Sequence, residues 1–223
     1  DELLSTNLKG DEYRWTDPKT GATLAINITT RDLEMKVPGH SLVSAYNPGS
    51  INRITAPTIA KSLLQSIGRF SDPLYINGSQ NVELGVVRNG KIVYTSFQGE
   101  AEVARIDFFR SINNFPIVGP VHREGLIRMI VGVPENTEDK ELNGAIIKKS
   151  PYIYYKVRGI EPVSQAIYPL LPVSIAWSEV AKGNGVISRI KPANQSVFEE
   201  YQPVEISEIL ITDIYLAYYD SVQ

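Results

Sequence analysis

Gly39-His40-Ser41-Leu42-Val43 begins like the nucleophile elbow G-x-S-x-G, which exposes a serine on a tight strand-to-helix turn. Val43 stands where that motif needs a second glycine for close packing of strand and helix. No helical pattern follows at once, and His122 is the only other histidine available as a base. A polar surface loop carrying Ser and His accounts for the segment without chemistry. His40 and His122 also fall outside H-E-x-x-H or any similar ligand spacing, so a histidine metal site is not expected.

Carboxylates are the other chemistry on offer. Glu135, Glu138, Asp139 and Glu141 form an acidic run, but it lacks the alternate spacing and central glycine of an EF-hand loop. A solvated loop explains it better. Glycoside hydrolysis needs two acids across a cleft. Glu100, Glu102 and Asp107 lie near one strand, and Glu199 and Glu200 near a turn, with nothing to show which face each other.

Phosphate-binding glycine loops are absent from the sequence, and Gly183-Asn184-Gly185 reads as a helix stop. Tyr152, Tyr154, Tyr155, Tyr215, Tyr218 and Tyr219 could stack on bases or sugars. Cross-strand aromatic pairing explains them more simply. The three sequons, at Asn27, Asn77 and Asn194, stand against roughly two that chance alone supplies and do not establish glycosylation. The sequence therefore assigns no catalytic residue, no cofactor-binding residue and no metal ligand.

Composition bounds the rest. The 223 residues are 43% hydrophobic and 21% charged, which is enough apolar material for a substantial core. Net charge is −3 and the pI is near 5.5, so nucleic acid is not an expected partner. Lys148-Lys149, the densest basic pair, reads as a solvated loop. Cysteine is absent, which excludes disulfides, thiol catalysis and zinc–thiolate sites. That suits the cytosol, and equally the exterior of bacteria that do not rely on disulfides. No apolar run reaches the roughly 18 residues that span a bilayer. The chain starts at Asp1 and stops at Gln223, just after a dense aromatic strand, so an anchor or tail is expected outside it.

The elements that must position these residues follow from periodicity and turn chemistry. Tyr13–Thr16 and Ala22–Ile28 read as strands around Asp17-Pro18-Lys19-Thr20-Gly21, with Leu33–Val37 extending the meander. Residues 38–54 read as a long loop. Thr55 is the expected cap of a helix over 56–67, with Ile59, Leu63 and Ile67 on an apolar stripe beside Ala60 and Leu64. Val82–Arg88 and Lys91–Phe97 flank Asn89-Gly90, the signature of a type I′ hairpin. Strands are expected at 101–110, 126–133 and 152–158, and a Pro/Gly-rich corner at 113–120. Ser174 is the expected cap of a second helix reaching about Lys182, with Ala176, Trp177 and Val180 on its core face. Short strands are expected at 186–190, 204–211 and 212–219.

The fold class is therefore α+β: antiparallel sheets of hairpin-connected strands with a few short helices. Helix, glycine stop and strands recur at about 55–110 and 173–219, an order compatible with two similar subdomains. The divisions expected are an N-terminal α+β region, 1–160, and a C-terminal helix-plus-strands region, 161–223.

Tyr168-Pro169-Leu170-Leu171-Pro172-Val173-Ser174-Ile175-Ala176-Trp177-Ser178-Glu179-Val180-Ala181-Lys182-Gly183-Asn184-Gly185, followed later by Ile214-Tyr215-Leu216-Ala217-Tyr218-Tyr219, resembles the YycI-type regulators of bacterial cell-wall sensor kinases. More loosely it resembles PepSY-like domains. Ala104–Arg110 and Phe115–Pro120 are similar to the middle of membrane-anchored bacterial proteins of this shape. Such a pattern continues past the double tyrosine into another strand, whereas this chain stops at Gln223. The resemblance implies a non-catalytic extracytoplasmic domain of a membrane-anchored bacterial protein, regulating or binding a protein partner at the cell envelope. It carries over no catalytic residue and no cofactor, and it implies contact with the membrane only through an anchor outside the chain. A small-molecule or peptide sensor is the alternative expectation, and a carboxylate-based hydrolase the third.

Overall fold

A computed structural model describes residues 10–39, 46–119, 121, 124–134, 150–156, 167, 169–184, 205, 208, 210–211 and 214–220. The fold is α+β. Its strands are β1 (Glu12–Thr16), β2 (Thr23–Asn27), β3 (Leu33–Lys36), β4 (Gln80–Arg88), β5 (Lys91–Tyr94), β6 (Val103–Phe108), β7 (Ser111–Ile112), β8 (Phe115–Val118), β9 (Ile127–Gly132), β10 (Tyr152–Tyr155) and β11 (Tyr218–Tyr219). Among the described residues there are three short α-helices, α1 (Thr55–Ser66), α2 (Pro73–Ile76) and α3 (Val173–Ala181). Eight strands form one antiparallel sheet in the order β1-β2-β3-β10-β9-β6-β4-β5, and a small sheet runs β11-β8-β7.

Strand register sorts the side chains onto two faces, because neighbours along a strand point to opposite sides. One row across seven strands reads Trp15, Leu24, Met35, Ile153, Met129, Ile106 and Val82. From Leu24 to Val82 this row shares one core with α1, which packs on β9, β6 and β4 and whose buried side chains are Ala56, Pro57, Ala60, Leu63 and Leu64. Ile59 and Ile67 pack at the margin of that core. Fully burying a side chain such as Leu64 or Ile106 stabilises the fold by about 1.5–3 kcal/mol.

The helix start differs from expectation. Asn52, not Thr55, is the capping side chain: its Oδ1 accepts from the backbone N–H groups of Ile54 and Thr55, each at 2.8 Å. The Asn52 carbonyl then accepts from Ala56 N–H at 3.0 Å, so the chain is already turning before Thr55. The Asn89-Gly90 hairpin forms as expected, with φ of 51° and 73° at the two turn residues.

The corner expected at 113–120 is a second tight hairpin. Asn113 and Asn114 both take positive φ, 51° and 68°, and Ser111↔Pro116 and Ile112↔Phe115 pair across them. Pro116 is tolerated near the start of β8 because it stands at a non-hydrogen-bonded pair with Ser111 and one residue before Ile117, where β11 begins to pair, so no ladder bond needs its missing N–H. Of the strand expected at 212–219, Tyr218–Tyr219 is paired; residues 186–204 and most of 205–213 lie outside the described residues.

The second helix forms, but its packing contradicts the expected core face. No residue of α3 is buried, and Trp177 is 49% exposed. The helix enters from Pro172 without a capping side chain, and Ser174 sits inside it. Helical period places Val173, Ala176, Trp177 and Val180 on one stripe; it does not supply the surface that would cover them.

Candidate functional site

One residue along from the core row, the opposite face of the sheet carries Arg14, Ala25, Glu34, Tyr154, Arg128, Asp107 and Asn81 in register. Asp107 is almost fully buried, and Arg105, two residues back on β6, grips it from Nε at 2.9 Å and Nη2 at 3.1 Å. Gly125 donates its N–H to Asp107 at 3.0 Å. A Cβ at Gly125 would lie 2.3 Å from the Phe108 carbonyl oxygen, so only glycine brings that amide so close. Glu124 accepts from Arg128 at 2.7 Å and stands 3.7 Å from Arg105. Burial pushes the Asp107 carboxyl up from the usual aspartate range, while Arg105 and the Gly125 amide pull it back. Burial alone would lower the Arg105 guanidinium, but the charges of Asp107, Glu124 and Glu83 reverse this and raise it.

The network opens toward β1–β3 and β10. The Arg128 guanidinium lies 3.9 Å from the Tyr154 ring centre and Lys156 Nζ lies 5.3 Å from it. Burial raises the Tyr152 phenol on the neighbouring row. Beyond Tyr154 is a shallow, half-open depression of about 170 Å³, lined by Glu12, Arg14, Asn27, Glu34 and Lys156 among others. It is polar and smaller than the roughly 300–1,000 Å³ typical of small-molecule sites.

Of the acids singled out from the sequence, Glu102 and Asp107 are kept apart. Asp107 lies five residues beyond Glu102 along the chain, about 17 Å at the strand rise, well over the separation a glycosidase pair uses. Glu102 accepts from Val87 N–H at 2.9 Å and from Arg88 at 3.1 Å. Glu100 accepts from the Thr95 hydroxyl at 2.5 Å. Glu124, which joins the Arg105–Asp107 pair, was not anticipated, and only the register of β6 with β9 reveals it. Asn27 spends its side-chain oxygen on the Thr29 and Thr30 amides, at 3.0 and 2.8 Å, and Asn77 ends α2. His40, Ser41, Val43, His122, Glu135, Glu138, Asp139, Glu141, Lys148, Lys149, Asn194, Glu199 and Glu200 lie outside the described residues. Among the described residues no three His, Asp or Glu gather as a metal would need, and no helix is long and apolar enough to cross a membrane.

A second region of interest lies at the small sheet. Here β11 runs parallel to β8, pairing Tyr218↔Ile117 and Tyr219↔Val118, and Asp220 N–H donates to the Val118 carbonyl at 2.8 Å. Tyr218 meets Phe115 edge-on at 6.3 Å. The Asp220 carboxylate stands 3.8 Å from buried Arg110, whose guanidinium lies 5.7 Å from the Tyr75 ring centre. The segment is thereby pinned to the main body, yet its apolar side chains face outward. Ile214, Tyr215, Leu216, Tyr218 and Tyr219 are each between 45% and 66% exposed. No protein-family model, curated protein or solved structure matches this chain.

Proposed function

We propose that this chain is a non-catalytic extracytoplasmic domain of a membrane-anchored bacterial protein, and that it binds and regulates another envelope protein. The observation that carries the reading is the outward-facing aromatic segment at 214–219, whose last two residues form β11. Among the described residues β11 is an edge, paired only by β8, and the Tyr and Leu side chains of the segment meet solvent. Contiguous exposed apolar surface of this kind is what protein interfaces use, and an edge strand offers backbone groups to an incoming chain. Val173, Trp177 and Val180 on α3 add a second exposed apolar stripe. The YycI-like order of these two segments supports the same assignment. The shallow polar depression gives less support to a carrier of an apolar ligand, which needs an enclosed cavity.

The test is site-specific photo-crosslinking in bacterial envelopes, with the reactive group placed at Tyr219 and, as control, at Thr16. One envelope protein should crosslink from Tyr219 and not from Thr16, and Tyr215→Ser should abolish it. Equal labelling from both positions, or labelling unchanged by Tyr215→Ser, would sink the proposal.

A further inference from the structure

Among the described residues the large sheet ends at β5, which has β4 on one side and no strand on the other. The Asn89-Gly90 turn closes on Arg88↔Lys91, and Thr95 N–H donates to the Leu84 carbonyl at 3.0 Å. Antiparallel pairing alternates bonded and non-bonded positions, so Lys91, Val93 and Thr95 turn their backbone groups toward β4. Those of Ile92 and Tyr94 therefore point away from the sheet, and no bond to them from another described residue occurs on that side. Val93, Tyr94 and Phe97 are 41%, 39% and 67% exposed. Such an edge is a template for another strand.

Charge along the edge selects the strand. Its beginning carries Lys91, and its end leads to Glu100, held beside Thr95 by a 2.5 Å hydrogen bond. We infer that β5 pairs with the β5 of a second copy of this chain, antiparallel about a twofold axis through Val93. In that register Ile92 of each copy exchanges both backbone bonds with Tyr94 of the other. Lys91 lies opposite Thr95, on the same face, and so beside the Glu100 carboxylate bonded to it. The symmetry repeats this ion pair on both sides of a Val93–Val93 contact. Phe97 falls opposite Asn89, where its exposed ring covers the turn of the other copy.

Other registers lose these features. Centring on Ile92 sets Lys91 opposite Val93, and centring on Tyr94 sets it opposite Phe97. A parallel, in-register pair would bring Lys91 against Lys91, which is unfavourable.

Sedimentation equilibrium of the full chain, from about 1 μM to about 1 mM, covers the affinity expected of so short an interface. A concentration-dependent dimer is expected. Lys91→Glu places carboxylates together twice and should weaken it at least about tenfold. Adding Glu100→Lys to that variant should bring the affinity back. Val93→Asp puts two carboxylates on the axis and should leave only monomer, while circular dichroism of the monomer stays unchanged because Val93 is exposed. A chain monomeric throughout, a dimer indifferent to Val93→Asp, or a Lys91→Glu defect that Glu100→Lys does not relieve would each overturn the inference.

Discussion

Arg105 and Asp107 sit two residues apart on one strand, their side chains on one face, joined by two bonds of 2.9 and 3.1 Å. Both are buried, so each charge depends on the other for the solvation it has lost. Asp107→Ala leaves a buried guanidinium without its main partner and should cost about 3–5 kcal/mol. Replacing both, as Arg105→Met with Asp107→Leu, removes the charges together and should cost much less. Urea denaturation of the two singles and the double measures this, and an additive double would contradict the coupling.

The Asn89-Gly90 turn yields a second expectation. Gly90 holds φ at 73°, where a β-branched side chain is strained. Gly90→Val should cost on the order of 1–2 kcal/mol or more. Chemical denaturation giving the wild-type midpoint would remove this turn from the fold's determinants.

How much was legible in the sequence depended on the range over which each feature is fixed. The Asn89-Gly90 hairpin was legible because two adjacent residues set its geometry. Asn113-Asn114 uses the same chemistry, but Pro116 and Gly119 nearby made the segment read as a corner. In β6, Ala104, Ile106 and Phe108 alternate with Val103, Arg105 and Asp107, and such a pattern ordinarily means one wet face. Here every position is buried. The polar face is closed through Gly125, Glu124 and Arg128, which register brings together from a distant stretch of chain. Trp177 failed for the opposite reason: local period drew a correct stripe, and its exposure depends on what lies across from it.

A pH-dependent effect should appear at the first turn. The Thr20 hydroxyl and the Lys19 amide donate to the Asp17 carboxylate and hold it below the ordinary value of 3.8. A group lowered in the folded state contributes stability above its unfolded pKa and loses it as pH falls through the folded one. The Lys19 amide and the Asp17 carboxyl should therefore titrate together, by NMR, with a midpoint below 3.8. A midpoint at or above that value would contradict the turn geometry.

Tyr75 offers a stabilising change. Its ring is buried against Phe70, and its hydroxyl has no hydrogen-bond partner among the described residues. Burial holds the phenol above its ordinary 10.0, so this tyrosine withdraws stability as pH rises past that value. Tyr75→Phe keeps the ring beside Arg110 and discards an unsatisfied oxygen, so stability at neutral pH should stay level or rise by about 1 kcal/mol. The variant should also tolerate alkali better. A loss above about 1 kcal/mol in thermal unfolding would mean that the hydroxyl has a partner.

Trp177 separates a buried role from a binding one. Sequence periodicity placed it in a core, where truncation to alanine costs roughly 3–5 kcal/mol. At 49% exposure on a helix with no buried residue, it has far less packing to lose. Trp177→Ala should therefore change stability by less than about 1 kcal/mol. In a Trp15→Phe background its fluorescence should be quenched readily by acrylamide, because the indole meets solvent. Partner capture from the envelope should nevertheless fall, since exposed aromatic anchors contribute most when an interface closes over them. A large stability loss with a shielded indole would return Trp177 to a core. A small loss with partner capture unchanged would leave the stripe on α3 outside the interface and confine binding to the segment at 214–219.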